Sequence, residues 1–227
     1  MTRICPLLTS CLLMSPLAGF SQETKSFSVV NLQNHFTPKL TKKFGNDDRE
    51  GNFLKLADRK KKLGGILFNI TDGVIQLGNK VWVEMPTKVE GIPVNKNFVR
   101  LYILHATGYG GGPNKPGMAW YVEDGTRIGE YRIHFADRSS ETIPIVYGID
   151  VRDWWFRQDE AKTTRSKIVW EGEKELAKKY DCRLRLYLTT WTNPKPQTPV
   201  IAVDYCGRKQ QTVAAPFCVA MTVQRQQ

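Results

Sequence analysis

Histidine and cysteine are scarce in this chain, and the patterns they fail to form exclude whole classes of chemistry. The three histidines, His35, His105 and His134, make no HExxH pair and no His–Cys cluster. The five cysteines contain no CxxC element, so the spacing of a zinc site is missing. No GxSxG elbow presents a nucleophilic serine. The stretch TGYGGG at 107–112 is glycine-rich but lacks the GK[ST] ending of a phosphate loop. It reads as a mobile loop or a close backbone turn. Long amphipathic helices are missing too, which removes βαβ units and a parallel sheet. The carboxylates Glu84, Glu90, Glu123, Asp124, Glu130, Asp150 and Asp153 are scattered, and no spacing picks out the pair a glycosidase needs.

What remains is 227 residues, 41% hydrophobic, 24% charged and 11% aromatic. That composition suits one folded domain with a substantial core. Residues 1–21 read as a signal peptide: Met1-Thr2-Arg3 is a short basic start, 4–20 is mostly apolar, and Gly19 and Ser21 are small. Pro6 and Pro16 argue against a long helix there. A buried N-terminal helix is the rival reading, and Leu8-Thr9-Ser10-Cys11 is a loose lipobox. The mature domain is then 22–227. Export leaves Cys182, Cys206 and Cys218, read either as small core residues or as including one disulfide between C-terminal strands. The net charge of +11 becomes +10 when Arg3 is removed with the signal (11 − 1). Such a balance favours anionic partners. Its densest run, Arg59-Lys60-Lys61-Lys62, reads as a solvated stretch of a long loop over 33–63.

Short apolar runs between turn signals fill the rest. Strands are expected at 27–32, 89–94, 98–105, 118–122, 166–170, 183–191, 199–205 and 212–223. Residues 66–70 are expected to pair with 74–77 about Thr71-Asp72-Gly73. Only 173–179 looks helical. The series predicts an all-β antiparallel sandwich or barrel with little helix. In the hairpin of 127–135 and 141–147, period-two alternation sends Tyr131, Ile133 and Phe135 to one face with Ile143, Ile145 and Tyr147. Arg132 and His134 take the other. Pro144 cannot donate to a ladder, which places its strand at an edge or a bulge.

A loop carrying Asp150, Arg152, Asp153, Trp154 and Trp155 then leaves the sheet. Either its tryptophans plug the end of the sandwich, or a flat aromatic face is presented to a sugar ring. Both hold if one ring points inward and one outward.

The segments LYILHATGYGGGPN, IGEYRIHFADRSSETIPIVYGIDVRDWW and RLRLYLTTWTNPKP resemble parts of a group of exported bacterial proteins. That group is similar to the galactose-binding-domain-like jelly rolls, which include discoidin-type domains and many carbohydrate-binding modules. The resemblance runs from about Gly73 to Val223. It implies a two-sheet jelly roll that binds through loops at one end, here 107–117, 149–155 and 191–197. Many members of the superfamily hold a structural calcium; Asp150 and Asp153 are present, but no oxygen-ligand loop accompanies them.

The functional expectation is a non-catalytic exported module that binds carbohydrate, with acidic or sulfated polysaccharide favoured by the charge. Trp154 or Trp155 would stack on a sugar. Arg152 and Asp153 would hydrogen-bond to it, and Tyr109 would close from the side. A polysaccharide-active hydrolase or lyase on the same scaffold is the alternative. Nucleic acid lacks any recognition signature.

Overall fold

The structure, a computed structural model, describes residues 26–37, 59–71, 73–110, 120–208 and 211–225. The expected signal segment and Cys11 lie outside the described residues. Within them the chain forms thirteen strands and a single turn of α-helix, α1 (Glu175–Lys178). The strands pair antiparallel throughout the sheets, as the alternating runs require.

The larger sheet has the order β1 (Phe27–Val30), β13 (Ala215–Gln224), β6 (Arg100–Gly108), β11 (Arg183–Thr192), β10 (Lys167–Gly172). Two short strands extend it: β4 (Ile75–Gln76) on β13 and β9 (Trp155–Phe156) on β11. The smaller sheet has the order β5 (Lys88–Lys96), β12 (Val200–Gly207), β7 (Arg127–Phe135), β8 (Ser140–Val146). A separate hairpin joins β2 (Arg59–Leu63) to β3 (Ile66–Ile70).

The two large sheets face each other in a β-sandwich-like arrangement. From β7, Tyr131, Ile133 and Phe135 are buried, while Arg132 is exposed and His134 half-exposed. Tyr131 stacks on Tyr205 with ring centroids 4.5 Å apart. Its hydroxyl lies 3.1 Å from Nδ1 of His105, which belongs to the opposite sheet. The other ring nitrogen of His105 lies 2.8 Å from the Thr189 hydroxyl. Both polar ends of this buried imidazole are therefore satisfied without charge, and burial pushes its pKa down to about 4. Pro144 sits on β8, an edge of the smaller sheet, where its missing N–H costs no ladder bond. Cys182, Cys206 and Cys218 are all free thiols, the first and last buried.

Strand β13 is buried along its whole length, so the larger sheet is covered on both faces. The β2–β3 hairpin supplies the second cover. Ile66, Phe68 and Ile70 point inward, and the Thr222 hydroxyl donates to the Leu67 carbonyl at 2.8 Å.

Three expectations are corrected here. The basic run is a strand rather than a loop. Residues 66–70 pair back with 59–63, not forward with 74–77, which instead feed β4 onto β13. The reason is Gly64-Gly65, whose φ values of 57° and 84° supply the two-residue turn that a hairpin prefers. Residues 120–122 form no strand.

Candidate functional site

The end of β6 is where the glycine-rich loop and the Asp153-Trp154-Trp155 loop meet. Tyr109 takes a left-handed backbone, φ 53°, and turns the chain out of the sheet. Gly110 then donates its N–H to Oδ2 of Asp153 at 2.7 Å. A Cβ at Gly110 would fall 2.6 Å from the Tyr147 ring, so only glycine lets the chain pass here. The Trp155 N–H donates to Oδ1 of Asp153 at 2.9 Å, and the Trp154 N–H donates to the Thr107 carbonyl at 2.8 Å. Asp153 thus clamps two loops from beneath. Burial pushes its pKa up to about 6, opposed by the two N–H donors and by Arg185.

Arg185 is the second buried anchor. Its Nε donates to the Asp153 carbonyl at 2.8 Å, and Nη2 pairs with Oε2 of Glu160 at 2.5 Å. The guanidinium lies over the rings of Phe156 and Tyr187. Lys174, also buried, sets its ammonium 5.8 Å and 5.5 Å from the ring centroids of Trp154 and Trp155. Burial lowers its pKa to about 8. The aromatic faces supply part of the attraction that water would otherwise give.

The five residues expected at a binding rim have divided roles. Trp154 is 6% exposed and meets Phe217 edge-on at 5.8 Å, so it is a wall of the core. Trp155 is half-buried in β9, with Tyr180 6.1 Å away on its open side. Asp153 is buried, with its carboxylate taken by backbone. Arg152 is bonded to the Asp124 carboxylate and lies over the Tyr147 ring. Tyr109 belongs to a different aromatic group, 5.3 Å from Trp120 and 6.3 Å from Trp82. The loop 191–197 does not join them. Asn193 bonds to Val99, and Trp191 pairs with Leu101, at the far end of β6. Nine residues of strand separate the two ends by roughly 25 Å.

What the structure adds is a cleft of about 690 Å³ lined by Phe156, Arg157, Gln158, Asp159, Lys178, Asp181, Cys182 and Arg183. Strand β9 brings 156–159 against β11 by pairing Trp155 with Leu184 and Phe156 with Arg183. The turn after α1, with Asp181 at φ 56°, closes the other wall. Arg157 donates to the Tyr180 carbonyl at 3.0 Å, and Tyr180, next in the chain to Asp181, is 59% exposed. Arg183 pairs with Glu171, and Lys178 with Glu173 and Glu175. The cleft therefore carries donors and acceptors in alternation, without an excess of positive charge. Burial pushes the Cys182 thiol upward, away from thiolate chemistry. Sequence reasoning missed these residues because 156–159 looks like a polar linker and 180–182 like a short link between the expected helix at 173–179 and the strand at 183–191. Tyr180, an aromatic among Lys178, Lys179 and Asp181, was the one signal available.

Among the described residues no group of three or more His, Cys, Asp or Glu side chains could hold a metal ion. No helix among them is long and apolar enough to cross a membrane. No family model and no curated protein matches the chain.

Proposed function

We propose that this chain is a non-catalytic carbohydrate-binding module, exported from the cell, on a jelly roll of the galactose-binding-domain-like kind. The observation that carries the reading is the cleft lined by Phe156 and by mixed Arg, Lys, Asp and Gln side chains, with the exposed Tyr180 next in the chain to Asp181 of its wall. A sugar ring offers an apolar face and a girdle of hydroxyls. Phe156 in the lining and the adjoining exposed Tyr180 suit the face. Arg157 and Arg183 donate to hydroxyl oxygens, Asp159 and Asp181 accept from hydroxyl protons, and Gln158 does both. The site is preorganised, because Asp153, Arg185 and Lys174 hold the loop from behind. The balance of charge at the cleft favours a hydroxyl-rich ring there over a sulfated one.

A hydrolase or lyase is the second reading, since Asp159 and Asp181 line one cleft. Both are exposed. A general acid needs the opposite setting, an apolar pocket that keeps a carboxyl protonated.

The test is a glycan array followed by titration of the best hit with Tyr180→Ala. An exposed side chain costs little stability, within about 0.5 kcal/mol, so the melting temperature should hold. Affinity should fall about tenfold, the equivalent of ~1.4 kcal/mol. An array with no hit, or a variant that binds as tightly as the parent, removes the reading. Release of new reducing ends from the hit, abolished in Asp159→Asn, moves the assignment to the hydrolase.

A further inference from the structure

The excess positive charge of the chain is not at the cleft, and the β2–β3 hairpin shows where some of it is displayed. We infer that this hairpin is a docking strip for a linear anionic polysaccharide, one carrying sulfate or carboxylate groups along its length. The inference stands apart from the cleft reading and uses none of its residues.

The register decides which way the lysines point. Lys60 is opposite Asn69 and Lys62 is opposite Leu67. Asn69 and Leu67 are exposed, while Ile66, Phe68 and Ile70 between and around them are buried on the sheet. Directly opposed residues share a face, so Lys60 and Lys62 both project outward, about 7 Å apart. Lys61 lies on the inner side and is half-buried.

The row continues past the turn. A Cβ at Gly64 would touch the side chains of Val169 and Leu188, so the hairpin tip rests on β10 and β11. Lys167 is opposite Leu188 and therefore projects from the same face, just beyond that tip. None of Lys60, Lys61, Lys62 and Lys167 makes an ion pair with a described carboxylate. Lys88 on the smaller sheet, by contrast, is neutralised locally by Glu90.

Lysine on an edge strand helps keep it from pairing with another chain. A run of three, extended by Lys167, exceeds that need. The strip is also rigid, since three buried apolar side chains pin the hairpin to the sheet. A polyanion that binds it loses little entropy in ordering the protein. A narrow row of charges matches a chain with regularly spaced anions better than it matches the broad plane of lipid headgroups.

Heparin is the probe, titrated into the whole protein between ~0.05 and ~0.3 M salt, where exposed charges are progressively screened. Lys60→Gln/Lys62→Gln should lose about tenfold in affinity, and the slope of log K against log salt should fall by about two. Lys88→Gln/Lys96→Gln removes the same charge from the smaller sheet and should bind as the parent does. Tyr180→Ala should also bind heparin normally, which separates this strip from the cleft. Equal losses in the two lysine pairs would reduce the effect to net charge and overturn the inference. So would a hairpin variant that binds unchanged. Duplex DNA or anionic vesicles that displace heparin at lower charge concentration would show that the partner class is wrong. Melting temperatures of both pairs should match the parent, because the replaced groups are at the surface.

Discussion

His105 and Asp153 make opposite contributions to stability as the pH falls, and the two should nearly cancel in the parent protein. His105 titrates at about 4 in the fold against an ordinary 6.5. Between those values the unfolded chain takes up a proton that the folded chain refuses, so stability is lost as pH falls from 6.5 through 4. Asp153 titrates at about 6 in the fold against an ordinary 3.8. Here the folded chain takes up the proton first, so stability is gained as pH falls through 6, and is lost again as pH rises through it. Each pKa unit is worth about 1.36 kcal/mol. From pH 7 to pH 4.5, His105 costs roughly 2–3 kcal/mol and Asp153 returns roughly 2 kcal/mol. Urea unfolding at both pH values measures the sum. Replacing His105 with Gln keeps an amide near the Tyr131 and Thr189 hydroxyls but removes the titration. That variant should become more stable on acidification, relative to the parent, by roughly 2–3 kcal/mol. Asp153→Asn should do the reverse, becoming less stable relative to the parent by roughly 2 kcal/mol. Repulsion among the other charges is common to all three proteins and cancels in the differences. Three parallel pH profiles would refute the assignment of either shift to burial.

Three further outcomes are expected. Trp154→Ala should cost about 3–5 kcal/mol in urea unfolding, because the ring is a wall of the core against Phe217. Gly64→Ala should cost more than Gly65→Ala, about 1–3 against about 1 kcal/mol. Both have positive φ, but only at Gly64 would the new methyl strike Val169, whereas Gly65 faces open space; thermal melts of the pair measure the difference. Arg185→Met should destabilise by about 3–5 kcal/mol at neutral pH, since Glu160 loses its partner, and adding Glu160→Gln should recover part of the loss.

Much of the sandwich is legible in the chain because one face of each outer strand is wet. Tyr131, Ile133 and Phe135 alternate with Arg132 and His134, and the alternation alone fixes which side packs. The β2–β3 hairpin was not legible for the converse reason. Lysines interrupt the apolar pattern on β2, so only β3 reads as a strand, and the apolar run at 74–77 stands in as its partner. Gly64-Gly65 was the usable signal. Central strands such as β13 read easily as apolar runs, yet nothing in them says what covers their second face. At the candidate site, the cluster from Arg152 to Trp155 was visible as a cluster. Which tryptophan points inward was not, because that depends on Phe217, more than sixty residues away.

The cleft shows how far such dependence reaches. Its walls come from 156–159 and 178–183, and neither segment has a pattern of its own. They meet because Trp155 and Phe156 pair with the first residues of β11. That pairing is held from behind by charged groups rather than by an apolar plug. Asp153 and Glu160 are balanced by Arg185 and Lys174, two negative against two positive. An apolar set of similar volume would be at least as stable, since desolvating paired charges offsets most of their attraction. Hydrogen bonds differ from apolar contacts in fixing direction. Asp153 accepts from Gly110 and Trp155, and Arg185 grips the Asp153 carbonyl and Glu160, so the loop has one conformation against the cleft wall. A plug that needed only to close the sandwich would not require that precision. A wall that must hold Phe156 and Arg157 at fixed positions along a cleft would.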